Sequence, residues 1–580
     1  MSRSVKIAWL VAAIVLANVA TAAFVWAQDA GVRAEHAPGE ISGVVLGPDG
    51  ALASARVRVH VTDNMTLTDE DGRFTLQVAD ASAPVTVTAS AEGHYIDAAY
   101  DVLAGEAVTI TLRAHYTTDN FEYGWAEADG LRGSQTCAMC HTDAMIQEWE
   151  QDAHGQAAAN LRFITLYQGT DVHGNKSPRT ETDFKGNVLP RDPSLPYYGP
   201  GFKLDYPDRA GNCASCHTPA AAKLDNATNC GWSGCHTSVT AERAIEVPHG
   251  VSPLHLDGPA AEGISCEFCH KIGDVILDEE TQLPLPDMPG ILSYRLFRPD
   301  EGEDIFFGTL DDTPGDDVYL PLMAESAFCA GCHYGVFGGV VGVGQVTGGT
   351  LIYNSYGEWL DSPYSDPETG QTCQDCHMPG GAAEYFVKPE AGGMQRDPGQ
   401  VHTHLMPGAS DVNLLQNSAT LTVTAEVVDG RLVVDVEVIN DQTGHHLPTD
   451  APIRSVMLVV QAEDGDGAAL PLLDGPTLPE WTGNYAGAPG RAYAKLLRDD
   501  WTGEMPTAAY WRPVTIVEDT RLAAMETDVS RYEFEPPDGA AAVDVQLIFR
   551  RAFQELAEQK GWDDPDILME RTTIDIVPAQ

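Results

Sequence analysis

Basic side chains, histidine and long apolar runs are all scarce in this chain of 580 residues. Lysine and arginine total 34 against 85 aspartates and glutamates, a formal net charge of −51. A surface this anionic repels nucleic acid and anionic lipid headgroups, so neither is an expected partner. Docking to a basic partner or to divalent cations fits the charge, but a solvated acidic surface is the simpler reading. Beyond residue 27 no window is long and apolar enough for a transmembrane helix. No nucleotide-binding glycine loop and no nucleophile motif stands out. Histidine numbers 18 and cysteine 12, and no cysteine is left without a near neighbour of its own kind.

The twelve cysteines form six close pairs: Cys137/Cys140, Cys213/Cys216, Cys230/Cys235, Cys266/Cys269, Cys329/Cys332 and Cys373/Cys376. A histidine follows every pair: His141, His217, His236, His270, His333 and His377. Five pairs read Cys-x-x-Cys-His, the pattern for covalent attachment of haem c. Each sulfur adds across one vinyl group, two intervening residues set the sulfur separation, and the next residue offers a neutral imidazole to the iron. Zinc knuckles and disulfide frameworks are the rivals, but neither requires a histidine after every pair. The sixth pair, Cys230-Gly231-Trp232-Ser233-Gly234-Cys235-His236, has four intervening residues. Its glycines allow the longer loop to bulge and still present both sulfurs; a local disulfide is the alternative. The expectation is about six haems.

Each iron needs a sixth ligand or keeps an open site. His154, His173, His249, His255, His402, His404, His445 and His446 lie in or just after the motif region and outnumber the positions to fill. Every haem can therefore be ligated by two histidines, a low-spin arrangement with no position for substrate. His154, His249 and His404 are the first choices.

The chain opens with Arg3 and Lys6, then an almost wholly apolar stretch over 7–27 ending in Val25-Trp26-Ala27. This is read as an export signal at 1–27, cleaved after Ala27; uncut, it would form a single membrane anchor. The expected location is periplasmic or extracellular. Short alternating strands fill 40–114: 40–46, 55–61, a hairpin signal at Asp71-Gly72 before Phe74 and Leu76, then Val85-Thr86-Val87-Thr88 and Val108-Thr109-Ile110-Thr111. They predict a β-sandwich. Glycine, proline and polar loops dominate 130–408, which holds all six pairs. The 268 residues from 137 to 404 leave about 45 per motif, too few for a sizeable ordinary core around each. The haems themselves must supply much of that core. Alternation returns over 418–580, with Leu421, Val423 and Ala425 leading to Asp429-Gly430 and Leu432, Val434, Val436 and Val438 leading away. A second β-sandwich is expected there, with a helix near 552–561. The fold class is thus multidomain: a β-sandwich, a central haem-packed domain that is mostly helical and irregular, and another β-sandwich.

Several stretches resemble known families. The run from Thr66-Leu67-Thr68-Asp69 through Asp71-Gly72-Arg73-Phe74-Thr75-Leu76 resembles the carboxypeptidase regulatory-like domain, which implies a non-catalytic β-sandwich over most of 40–114. Gly133-Ser134-Gln135-Thr136-Cys137, through Trp149 to His154, resembles the multihaem cytochromes related to hydroxylamine oxidoreductase. In that group a histidine shortly after the motif is a distal ligand, a role the resemblance gives to His154. Tyr356-Gly357-Glu358-Trp359 through Met378-Pro379 is similar to the same group. His404-Leu405-Met406-Pro407-Gly408 resembles its His-x-Phe-x-Gly segment, with methionine in place of phenylalanine. Gly444-His445-His446-Leu447-Pro448-Thr449 resembles a loop in an appended β-domain.

Three roles follow: an electron carrier, an oxidoreductase acting on a small nitrogen or sulfur compound at one open haem, or a filament or surface complex built through the β-domains. Related reductases mark their special haem with a lysine in place of the motif histidine, and no motif here does so. Lys271 only neighbours His270 and reads as a surface cation. The loop Asp311-Asp312-Thr313-Pro314-Gly315-Asp316-Asp317 offers oxygens for a calcium ion but reads more simply as a solvated loop. The carrier is the preferred role. Its expected partners are other redox proteins or extracellular electron acceptors, and association into a homo-oligomer is compatible with it.

Overall fold

The computed structural model describes residues 38–577, apart from 121–122, 126, 129–130, 225–253, 255–257, 287, 339, 343–344, 348, 382 and 536–538. The apolar stretch at 1–27, Cys230, Cys235, His236, His249 and His255 therefore lie outside the described residues. The chain divides into two compact units, Met1–His115 with Leu310–Tyr319, and Tyr116–Thr309 with Leu320–Gln580.

In the first unit, strand Arg73–Val78 buries Phe74, Leu76 and Val78 and exposes Arg73, Thr75 and Gln77. This is the period-two pattern of a strand with one face on a core. Gly39–Gly47 pairs with it antiparallel and with Ala107–Thr111 in parallel, and Gly50–Ala51 completes the sheet. The second sheet runs Met65–Leu67, Arg56–Val59, Val85–Ser90, Asp97–Val102. Both sheets contribute to one apolar cluster that includes Ile41, Val45, Val57, Phe74, Leu76, Val87 and Ile110. Asp71-Gly72 does not close a hairpin. Met65–Leu67 pairs with Arg56–Val59, whereas Arg73–Val78 pairs with Gly39–Gly47. The turn carries the chain from one sheet to the other. Its Gly72 has φ +71°, and a Cβ there would stand 2.6 Å from the Val45 carbonyl oxygen.

The acidic segment Leu310–Tyr319 directs its carboxylates at arginines and amides. Asp311 accepts from Arg56 Nε at 2.5 Å and Arg58 Nε at 2.8 Å, Asp312 accepts from Val61 N at 2.8 Å, and Asp316 pairs with Arg113 at 3.1 Å. A calcium ion needs several oxygens turned to one point. Among the described residues no group of three acidic, cysteine or histidine side chains gathers in that way.

In the second unit, elements between 133 and 408 are short. Three helices of a single turn coincide with motifs: Ala214–His217, Cys266–His270 and Cys373–His377. Caps fix where two of them begin. Ser265 accepts from Phe268 N, and Thr372 and Asp375 form a reciprocal capping box. Further along, two four-stranded antiparallel sheets follow. One runs Thr420–Val428, Arg431–Ile439, Thr527–Phe534, Leu472–Asp474; the other runs Gly490–Tyr493, Ser455–Asp464, Ala541–Arg550, Ile567–Ile576. Asp429 and Gly430, at φ +50° and +79°, close the hairpin that pairs Val428 with Arg431. This is the left-handed conformation that a two-residue hairpin loop demands. Helix Gln554–Lys560 ends on Gly561 at φ +70°.

A mixed cluster joins the motif region to these sheets, with Leu166, Tyr167 and Phe202 packing among Leu496, Trp511, Phe553 and Trp562. Buried Arg512 bonds Asp205 at 2.7 Å and Asp499 at 2.5 Å. Lys560, also buried, donates to the carbonyls of Thr165, Thr170 and Pro200 at 3.2, 3.1 and 2.7 Å. Among the described residues no helix is long and apolar enough to cross a membrane.

Candidate functional site

Where a motif folds, it makes one tight turn. His141 N, His217 N and His333 N each return to the carbonyl of their motif's first cysteine, at 2.8, 3.0 and 3.2 Å. This puts the histidine over the same turn as both sulfurs, as a two-residue spacing requires. Among the ten described cysteines no two are bonded to each other. Nor, among the described residues, do three cysteine, histidine or acidic side chains converge as a zinc site would need.

Cys140 and Cys376 are exposed, whereas the other eight described cysteines are half-buried. Backbone groups alone fix Cys140: its amide donates to the Cys137 carbonyl at 3.1 Å, and its own carbonyl accepts from Lys388 N at 2.8 Å. The next residue, His141, bridges Val387. The segment around 387–388 thus covers the main chain of the turn.

Each described motif histidine has its Nδ1 tied to an acceptor, leaving Nε2 as the free ligand atom. The acceptor is the carbonyl of Phe386 for His141 (3.1 Å), Ala157 for His217 (3.0 Å), Phe307 for His270 (2.6 Å) and Pro407 for His377 (2.7 Å). For His333 it is a carboxylate, Asp450 Oδ2, at 2.9 Å. Burial holds His141, His217 and His377 below the ordinary imidazole value and pushes His270 down to about 4, a direction that favours the neutral ring a metal ligand needs. At His333 burial pulls the same way, but the Asp450 carboxylate outweighs it and raises the value.

Three motif histidines face a second imidazole. Ring centroids are 6.1 Å apart for His333 and His154, 6.4 Å for His270 and His404, and 6.4 Å for His377 and His445. Imidazole–metal bonds of about 2.0–2.1 Å, with about 1.1 Å from nitrogen to ring centroid, put two rings trans across one metal about 6.3 Å apart. All three pairs match this span, and stacked rings would be much closer. The donor set therefore fits haem iron held by two histidines. His217 instead has Phe163 stacked on its ring, with centroids 3.7 Å apart and planes 7° apart.

The motifs also touch one another. Thiol contacts join Cys137 to Cys266, Cys216 to Cys332 and Cys329 to Cys373. Two of these joints share one construction. Ser134, three residues before Cys137, accepts the Cys266 amide at 3.1 Å; Ser326, three residues before Cys329, accepts the Cys373 amide at 3.0 Å. Tyr294 packs against the Cys329 motif, its ring 2.6 Å from where a Cβ on Gly331 would be, and donates to the Phe328 carbonyl at 2.8 Å.

Of the other sequence candidates, His402 is half-buried with Nδ1 on the Met378 carbonyl at 2.7 Å, and His446 stands 3.6 Å from Glu358. His173 is exposed in a turn where Asp171 accepts its backbone amide. Lys271 is not a surface cation: it is fully buried, bonded to Asp304 at 2.5 Å and to the Ile305 carbonyl at 2.7 Å, and lies over the Phe306 ring. Sequence reasoning missed Asp152, whose Oδ1 accepts from His154 Nδ1 at 2.8 Å, and its counterpart Asp450. It also missed Glu148, which seats the next distal loop by accepting from Thr403 Oγ1 and His404 N. The repeated Ser-x-x-Cys spacing was the one visible signal for the joints between motifs.

No protein-family model and no curated protein matches the chain. Among solved structures it is similar to a penta-heme cytochrome c552 from Thermochromatium tepidum, at 20% identity over 77% of this chain and 98% of that one, with a TM-score of 0.48. A second similarity is to a cohesin–X-dockerin complex from Acetivibrio cellulolyticus, at 14% identity over 17% of this chain and 70% of that one, with a TM-score of 0.12.

Proposed function

We propose that the chain is an exported multihaem c-type cytochrome that carries electrons along closely spaced low-spin haems. The three imidazole pairs at 6.1–6.4 Å carry this reading. Cys137/Cys140, Cys213/Cys216, Cys266/Cys269, Cys329/Cys332 and Cys373/Cys376 attach five haems, and Cys230/Cys235 with His236 a sixth. His141, His217, His270, His333 and His377 are proximal ligands. His154, His404 and His445 are the distal ligands opposite His333, His270 and His377. Bound haem supplies a one-electron Fe(III)/Fe(II) couple whose potential its axial ligands set.

The protein's own part is placement. Acceptors on Nδ1 fix each ring so that Nε2 points at the metal. Burial favours the neutral form at His141, His217, His270 and His377, and paired histidines would leave substrate no position on those irons. The contacts between cysteines of different motifs would bring the haems they hold near one another, and electron tunnelling depends most steeply on that distance. The order they support runs from the Cys137 motif to Cys266, and from Cys213 through Cys329 to Cys373.

Intact mass of the mature holoprotein tests the stoichiometry, with six haems and no free thiol expected. Five haems plus one disulfide would make Cys230/Cys235 structural. Carbon monoxide or cyanide tests the role: optical and paramagnetic resonance spectra should hold only low-spin signals that neither ligand disturbs. A ligand-sensitive high-spin haem would replace the carrier with an oxidoreductase.

A further inference from the structure

Both histidines of one pair lean on carboxylates. Asp450 Oδ2 accepts from His333 Nδ1 at 2.9 Å, and Asp152 Oδ1 accepts from His154 Nδ1 at 2.8 Å. Each carboxylate is fixed from its other oxygen by a backbone amide, Ser355 N on Asp450 and Met406 N on Asp152, at 3.3 and 3.0 Å. Their side chains are only 17% and 3% exposed, so water screens neither well. Asp450 sits at φ +56°, a left-handed conformation that costs a non-glycine residue energy and is kept where the surroundings demand it. Arg454 lies near Asp450 and partly offsets its charge, but bonds the Thr449 carbonyl. The other two pairs differ: His270, His377 and His445 use the carbonyls of Phe307, Pro407 and His446, and His404 faces that of His402.

A carboxylate accepting from an imidazole pushes electron density onto the ring, makes it a stronger ligand and favours the ferric state. Two such partners on one axis act in the same direction, and their charges add to it. The same motif touches Cys216 through Cys332 and Cys373 through Cys329. We infer that Asp450 and Asp152 are positioning residues that jointly give the iron between His333 and His154 the most negative potential of the three paired sites. Electrons crossing this junction climb a step there and do not rest on it. The transfer is a one-electron reduction of Fe(III) to Fe(II) by the neighbouring haem, with no bond made or broken.

This inference rests on the haem reading above. The test is a redox titration of the holoprotein followed by paramagnetic resonance. The His333/His154 planes are 59° apart, against 22° and 16° in the other pairs, so their low-spin signal should be the more anisotropic one. In the parent protein that component should be reduced last. Asp450→Asn and Asp152→Asn should each move its midpoint upward more than that of any other component, the double variant further, with the low-spin ligation unchanged; Asp152, whose charge also reaches His404, should move the His270/His404 component by less. Asp152→Asn alone still decides the matter if Asp450→Asn fails to fold. An unmoved midpoint, or two variants whose largest shifts fall on different components, overturns the inference. Absence of any haem band in the parent protein would instead sink the haem reading.

Discussion

Strand Ala541–Arg550 buries Ala541, Val543, Val545, Leu547 and Phe549, whereas helix Cys373–His377 buries only Gln374. The contrast holds across the two regions they belong to. The C-terminal sheets enclose a large apolar cluster that runs from Leu415 to Met569 and includes the aromatic rings of Tyr493, Tyr532, Phe534 and Phe549. In the motif region, the cluster around Phe268, Ile291 and Leu296 is far smaller and is bordered by the motif cysteines Cys269 and Cys332. A chain that buries its own apolar surface folds by itself. On the proposed reading, one that arranges cysteines and imidazoles in facing positions would rely on the group they hold. The two regions nonetheless meet in a shared cluster and in the Arg512 and Lys560 contacts, so the sheets act as a frame that holds Asp450 and His445 against the motifs.

The largest effect expected from this contrast comes from withholding haem. A chain lacking 1–27 should stay in the cytoplasm, where haem is not attached. Limited proteolysis of that product should cut throughout 134–408 and leave a resistant fragment over about 418–577. Equal resistance in both regions, or red holoprotein from the cytoplasm, would break the comparison.

Next comes a substitution in the apolar cluster. Leu547 is fully buried opposite Leu458, and Leu547→Ala should cost about 3 kcal/mol in chemical denaturation. The haem spectrum should survive at denaturant concentrations below the transition. Loss of haem ligation before the sheets unfold would mean that the two regions are less separable than their cores suggest.

A smaller, local change is expected at the ligands. His154→Ala should open one coordination site and convert one haem to a high-spin form that binds cyanide, while the His270/His404 and His377/His445 signals stay as they were. An unchanged spectrum would remove His154 from the ligand set.

Sequence reading reached the motif spacing and several local elements because each is encoded within a few residues. The Asp429-Gly430 hairpin and the helix ending at Gly561 are of this kind. Pairing between distant segments was not legible. His154 follows the first motif closely, yet its ring faces His333 of another motif. Asp152 and Asp450 are ordinary acidic residues among 85, and only the fold brings them to opposite ends of one histidine pair. Cys140 looks like every other motif cysteine, and the contact of its carbonyl with Lys388 N comes from far along the chain. Lys271 was misread because its ion partner Asp304 and its ring neighbour Phe306 lie on a later loop. Asp71-Gly72 has the composition of a hairpin turn, but the choice between two sheets is made by the strands that receive Met65–Leu67 and Arg73–Val78.

The smallest predicted effect concerns the first unit, where carboxylate and guanidinium groups supplement an aliphatic core. Burial alone would raise the Asp311 value, but hydrogen bonds from Arg58 and Arg56 outweigh it and hold the carboxyl below its ordinary 3.8. A carboxyl lowered on folding binds fewer protons in the native state than in the unfolded one. Its contribution is therefore present in full above about pH 4–5 and fades as the pH falls through the folded value. Hydrogen exchange over 38–115 should show protection that declines below that window. In Asp311→Asn the protection at neutral pH should drop by about 1 kcal/mol, since Arg56 is partly exposed and its pairing is screened, and the acid dependence should flatten. Unchanged acid dependence in Asp311→Asn would assign the decline to other carboxylates and leave the aliphatic cluster as the main support of this unit.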